Sequence, residues 1–395
     1  MVYDFTTAVN RSHTGSAKWQ QMHDWNPSLD DNIYPLSIAD VDMKMAPEII
    51  QGLQNFLETA ILGYDLPTKE YLSAVKNWMK TQHHWEIEDD WILTIPGVVT
   101  SFYPTIRSFT DPGDGVLLLS PVYYPFYAAI EKTERHIVKS VLIQKETHYE
   151  IDFADLEEKA KDPANKLLLF SNPHNPVGRV WSKEELAKVI DICVANDVII
   201  LADEIHHDLT MPGHSYTPMA IATEDAASIC ITATAVSKSF NLAGLKNSNI
   251  IISDPTLRER FLEDLEETGL DGGTNMLGLK ATELAYTVGG PWLQEFKELI
   301  WHNHQELKRY FNQELSEVTV FDLEGTFLQW LDFNAFGLSA NELEQVMHKE
   351  ALVFGDEGYI FGTEGTGFER LNLAVPTKVL MDALERLVNT MKKYR

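Results

Sequence analysis

The chain has 395 residues, 44% hydrophobic and 23% charged, with 18 Phe, 14 Tyr and 9 Trp, which excludes a disordered chain and allows a large core. Lys and Arg number 32 against 59 Asp and Glu, and the formal charge of −27 argues against nucleic-acid phosphates and anionic membrane surfaces as partners. Two cysteines, Cys193 and Cys230, are too few for a disulfide framework; they read as core fillers in a reducing compartment.

At roughly 100–200 residues per domain, this length suggests two or three domains, or a large one with a smaller companion. The first twenty residues lack the charged start and apolar stretch of a signal peptide. No apolar run reaches the ~18 residues of a membrane helix, so a cytoplasmic protein is expected. An amphipathic helix ends at His83-His84, where cationic side chains suit the helix dipole. Short apolar, β-branched runs then recur: "WILTI" from Trp91, "GVLLLS" from Gly115, "KLLLF" from Lys166, "DVIILA" from Asp197, "SICIT" from Ser228 and "SNIIIS" from Ser248. They read as strands buried on both faces. Between them lies "SKEELAKVIDICVAND", with Ser182 as N-cap, Glu185 three residues on, and Leu186, Val189, Ile190 and Cys193 at helical spacing. Alternating strand and helix predicts an α/β fold with a mainly parallel central sheet flanked by helices.

From about Thr274 a long helix-compatible region follows, in which His302 and His304 read as solvated. "VTVFDLEGTFLQWLDF" reads as two strands around a Glu-Gly turn, "GTEGTG" as a mobile loop before Arg370, and "LNLAV" as another strand. A final amphipathic helix completes a smaller α+β domain. The expected division is an N-terminal segment, 1–48, joining the small domain; a large cofactor-binding domain, 49–285; and the small C-terminal domain, 286–395.

"VIILADEIHHDL" ends a strand at Asp203, at the carboxyl edge of a parallel sheet where open α/β folds bind ligands. A nucleoside-triphosphatase Mg²⁺ motif would need a GxxxxGK[ST] loop, which the chain lacks. As a metal set, Asp203, His206, His207 and Asp208 are crowded, yet successive residues at a strand end point in different directions, and no metal is expected. The third reading makes Asp203 a buried carboxylate kept ionised by a cationic ring nitrogen. Lys238, in "TATAVSKSFNLAGLK", suits a partly desolvated amine of lowered pKa that forms an imine and acts as a base. Pyridoxal phosphate needs such a lysine, such an acid, and phosphate donors. Ser237, Lys246 and the helix start at Val98 in "TIPGVVTSF" can supply the donors.

"SNPHNPVG" from Ser171, "ADEIHHDL" from Ala202, "SKSFNLAGLK" from Ser237 and "ERLNLA" from Glu369 resemble the class I/II aminotransferase-like, fold-type I pyridoxal-phosphate enzymes. "KWQ" at Lys18, "PLSIADVDMKMAPEI" at Pro35 and "GYDLP" at Gly63 are similar to the cystathionine β-lyase (C-S lyase) branch. The resemblance spans essentially the whole chain. It implies that Lys238 bonds the cofactor, that Asp203 pairs with the ring nitrogen, and that Asn175 and His206 meet the ring hydroxyl oxygen. Tyr123 and Ile205 would cover the two ring faces. Val98, Val99, Ser237 and Lys246 would hold the phosphate, with Tyr64 reaching over from a second subunit. Arg370 would grip the substrate carboxylate, with Ala39 and Asn175 nearby. Lys246 and Val236 stand where many relatives have arginine and proline.

The implied activity is carbon–sulfur β-elimination from cystathionine or a cysteine S-conjugate by a homodimer with shared active sites. The alternatives are an aminotransferase acting on an amino acid and a 2-keto acid, and a regulatory protein-binding role.

Overall fold

Strands with apolar residues on both faces need cover on both sides, and the computed structural model, which describes residues 2–30 and 32–395, supplies it. Seven strands form the main sheet: β1 Ile92–Ile95, β2 Gly115–Ser120, β3 His136–Val141, β4 Asn165–Ser171, β5 Ile199–Asp203, β6 Cys230–Thr234 and β7 Ser248–Ile251. Their spatial order is β1-β7-β6-β5-β4-β2-β3, parallel throughout except that β7 runs antiparallel to both neighbours. Leu117, Leu119, Leu168, Phe170 and Ile200 face one side, against Leu186, Val189 and Ile190 of helix Lys183–Ala195. Val116, Leu118, Leu167, Leu169 and Leu201 face the other, against Phe102 and Ile106 of helix Val98–Phe109. Each fully buried side chain of this kind stabilises the fold by about 1.5–3 kcal/mol.

All six anticipated runs contribute strands, and the capping box is present: Ser182 Oγ accepts from the Glu185 amide, and the Glu185 carboxylate accepts from the Ser182 amide. The edge strand β3 was not marked by an apolar run, because only Ser140 in it is fully buried.

A second sheet comprises β8 Thr319–Val320, β9 Leu328–Asp332, β10 Asp356–Glu357 and β11 Phe368–Asn372, in the antiparallel order β8-β9-β11-β10. A seven-residue connection, 321–327, joins the first two, longer than the expected Glu-Gly turn. Helix Gly290–Glu314 precedes this sheet and is about 37 Å long. The N-terminal segment docks here: the Leu36 amide donates to Phe354 O at 2.8 Å, and Asn372 Nδ2 donates to Ile38 O at 3.0 Å and Asp40 O at 2.8 Å.

Three local expectations need correction. His304 is buried rather than solvated, its Nδ1 2.7 Å from Gln329 Oε1, because the long helix turns Asn303, His304 and Leu307 inward; His302 stays exposed. His83 does not dress a helix end in solvent: it is buried against Asp208. "GTEGTG" folds into tight 3-10 turns, and Glu364 ties them to Ser120 Oγ at 2.6 Å. A Cβ on Gly358 would lie 2.2 Å from Gly365 O, so these turns need glycine for their close approach.

Among the described residues, no helix is long and apolar enough to cross a membrane.

Candidate active site

The carboxyl ends of β4, β5 and β6 bring Ser171, Asp203 and, one short helix later, Lys238 to the same edge of the sheet. They border a cavity of about 380 Å³. Lys238 sits on helix Val236–Ser239, just beyond the end of β6, and its Nζ donates to Ala39 O at 2.8 Å. Burial, with Arg370 acting in the same direction, lowers its amine to about 8; Asp40, Asp203 and Asp356 oppose that shift. The segment that presents Ala39 is held from behind. Buried Lys18 contacts Asp40 Oδ1 at 3.0 Å and Asp42 Oδ2 at 2.8 Å, and Arg11 bridges the same two carboxylates. Ile38 takes φ 43°, a left-handed conformation costing a β-branched residue about 1–2 kcal/mol, at the cavity wall.

Asp203 is 4% exposed, and burial pushes its carboxyl up to about 7 against the opposing effects of the Ile205 N–H, 3.2 Å away, and of Lys238. His206 lies beside it. Burial holds this imidazole well below its ordinary pKa, so the ring is neutral, and its Nδ1 has no partner among the described residues. Tyr123 and Ile205 also line the cavity.

Arg370, on β11, is clamped in a plane. Its Nη1 donates to Asn175 Oδ1 at 2.8 Å, its Nη2 to Asp356 Oδ2 at 2.5 Å, and its guanidinium lies 4.6 Å from the centre of the Phe361 ring. Nε has no partner among the described residues. Asp356 pairs with Arg370 in register across β10 and β11. Asp356 is not legible in the sequence, because a two-residue strand leaves no periodic signal.

On the opposite wall, Gly97 takes φ 93° and starts helix Val98–Phe109, which has no side-chain cap. Its first residues, Val98, Val99 and Thr100, border the cavity together with Ser237 and Lys246. An uncapped helix N-terminus is an anion site. Every expected site residue lies at this cavity except Tyr64, which is fully exposed on its own chain. Ser171, Thr100 and Tyr124 line it too and were not anticipated.

This donor set fits the expected cofactor. A buried carboxylate without a strong cationic partner suits a protonated ring nitrogen, an uncapped helix suits a phosphate, and a lysine of lowered basicity suits a carbonyl.

The family described as "Aminotransferase class I and II" matches residues 31–387. Over 384 residues the chain is 40% identical to the cystathionine beta-lyase PatB of Bacillus subtilis (strain 168), covering 97% of this chain and 98% of that one. Among solved structures, cystalysin from Treponema denticola, which contains a pyridoxal 5'-phosphate cofactor, is similar at TM-score 0.97 and 45% identity, with 100% of both chains covered. The pyridoxal-phosphate-bound C-S lyase from Staphylococcus hominis is similar at TM-score 0.90 and 30% identity, covering 99% of this chain and 98% of that one.

Proposed function

The chain belongs to the class I and II aminotransferase family, and on that premise we propose that it is a pyridoxal-phosphate-dependent carbon–sulfur β-lyase. It cleaves cystathionine or a cysteine S-conjugate to a thiol, pyruvate and ammonia. The observation that carries this reading is the meeting of Lys238, Asp203 and Arg370 at one cavity, in a chain similar over nearly its whole length to a cystathionine beta-lyase.

When bound, the cofactor supplies an electron-withdrawing ring that takes up the electron pair left as the substrate Cα–H bond breaks. Lys238 would hold it covalently, and its freed amine would take the substrate Cα proton at Nζ. Its lowered basicity leaves a usable fraction of free amine near neutral pH. Asp203 holds the ring-nitrogen proton, and a cation facing it draws its carboxyl back toward the ionised form. Asn175 and His206 take the ring oxygen, while Tyr123 and Ile205 cover the ring faces. The Val98 and Val99 amides, Ser237 and Lys246 hold the phosphate.

Arg370 receives the substrate carboxylate, its plane set by Asn175 and Asp356, with Ala39 beside it. The Cβ–S bond would break with its pair leaving on sulfur, which takes back the proton held at Lys238 Nζ to give the thiol, and water would convert the three-carbon product to pyruvate and ammonia.

The same proposal includes a homodimer in which Tyr64 of the partner subunit completes the phosphate site. It also includes a cytoplasmic location, consistent with the free buried thiols of Cys193 and Cys230. The division at residues 49 and 286 is supported by a main sheet confined to 92–251 and a small sheet confined to 319–372.

The test is incubation with cystathionine and no keto acid. A lyase releases pyruvate and thiol over many turnovers; an aminotransferase stops after one half-reaction and releases no pyruvate.

A further inference from the structure

Behind the helix that carries Lys238 lies a second cavity, of about 450 Å³, bordered by His83, His207, Asp208, Tyr216 and Lys297. His83 ends helix Lys69–His83, and His207 and Asp208 lie in the turn after β5, so residues some 125 positions apart meet here. His83 Nε2 lies 2.8 Å from Asp208 Oδ1, a carboxylate oxygen that can only accept, so Nε2 donates there and would pass that proton to Nδ1 on taking a metal; His207 Nε2 lies 3.4 Å from Asp208 Oδ2. One ligand atom from each residue falls within 4.8 Å of the others.

The tautomer of His207 is set by its surroundings. Its Nδ1 is 2.7 Å from the Glu204 carbonyl oxygen, which can only accept, so Nδ1 carries the proton and Nε2 presents a lone pair. This Nε2 is buried without a partner among the described residues and faces a carboxylate oxygen that already accepts from Ser239 Oγ at 2.7 Å. Two acceptors oppose each other, and a cation between them would satisfy both. The supporting contacts are those of a metal site: one histidine ligand donates its other N–H to a carbonyl, and the carboxylate is oriented by Ser239 and by Trp78 Nε1 at 2.8 Å.

We infer that His83, His207 and Asp208 form a second site, for a divalent transition-metal ion, with zinc the best match to two imidazoles and a carboxylate. Bonds of about 2 Å at tetrahedral angles separate ligand atoms by about 3.3 Å, close to the spacing of His207 and Asp208. The fourth position opens on the cavity, where water or a small anion completes the shell. The site is distinct from the cavity that takes the cofactor, yet Asp208 reaches the residue next to Lys238 through Ser239.

The experiment is zinc binding to chelator-stripped, cofactor-loaded enzyme by equilibrium dialysis, with the ion located by anomalous scattering at the zinc edge. One tight ion per chain is expected, between His83, His207 and Asp208. His83→Gln and His207→Gln each weaken binding by about 100-fold or more and leave cofactor content unchanged. Should the variants fail to fold, the tetrahedral Co²⁺ spectrum of the unaltered enzyme and its displacement by zinc give a separate reading. No tight binding, an anomalous peak elsewhere, or full affinity in both variants would overturn the assignment.

Discussion

Asp203 and Lys238 are each costly where they stand, and the direction of each cost says what should follow. Burial raises the Asp203 carboxyl to about 7, so between pH 3.8 and about 7 the folded apoprotein binds more protons there than the unfolded chain, and stability falls as pH rises. Asp203→Asn therefore raises the apoprotein melting temperature at pH 8 while lowering β-elimination by about 10²-fold or more, the scale of losing a buried electrostatic partner. Calorimetry and a pyruvate assay on the same preparation check both arms. Lys238 is the opposite case. With its amine lowered to about 8, cofactor capture by apoprotein should rise with pH through about 8, followed by absorbance; a midpoint near the ordinary 10.5 would contradict the placement. Lys238 and Asp203 were legible because Asp203 ends an apolar strand run and Lys238 stands within a run of small, hydroxylated residues, where the chemistry narrows the choices. Asp356 and the burial of His83 and His304 were not, since each depends on a partner distant in sequence.

The helix starting at Val98 joins sequence to site at the level of the element. Gly97 at φ 93° has open space where a Cβ would go, so Gly97→Ala costs about 1–2 kcal/mol through the backbone alone. It should also weaken cofactor affinity by tilting the amides that hold the phosphate. Ser182→Ala is the control: losing that capping box costs about 1 kcal/mol with no change in cofactor affinity. Denaturant melts with cofactor titration separate the two. The buried strands could be read because apolar side chains fill both faces. Edge strand β3 could not, and the reversed direction of β7 leaves no trace in composition.

For the whole molecule, the exposed apolar residues Ile61, Leu62, Tyr64 and Leu66 form a run that a lone, highly charged chain has little reason to show water. Light scattering should give twice the chain mass, and Leu62→Asp with Leu66→Asp should shift the mass to one chain and lower activity together. Active monomers would contradict a shared site.

Lys238 as the residue that holds the cofactor is the premise of every step proposed above. Borohydride reduction of the purified enzyme, followed by digestion and peptide mass mapping, reads this directly. The cofactor's mass is expected on the peptide containing Lys238 and nowhere else. Its appearance on Lys246 or Lys18, or on no peptide, would contradict it.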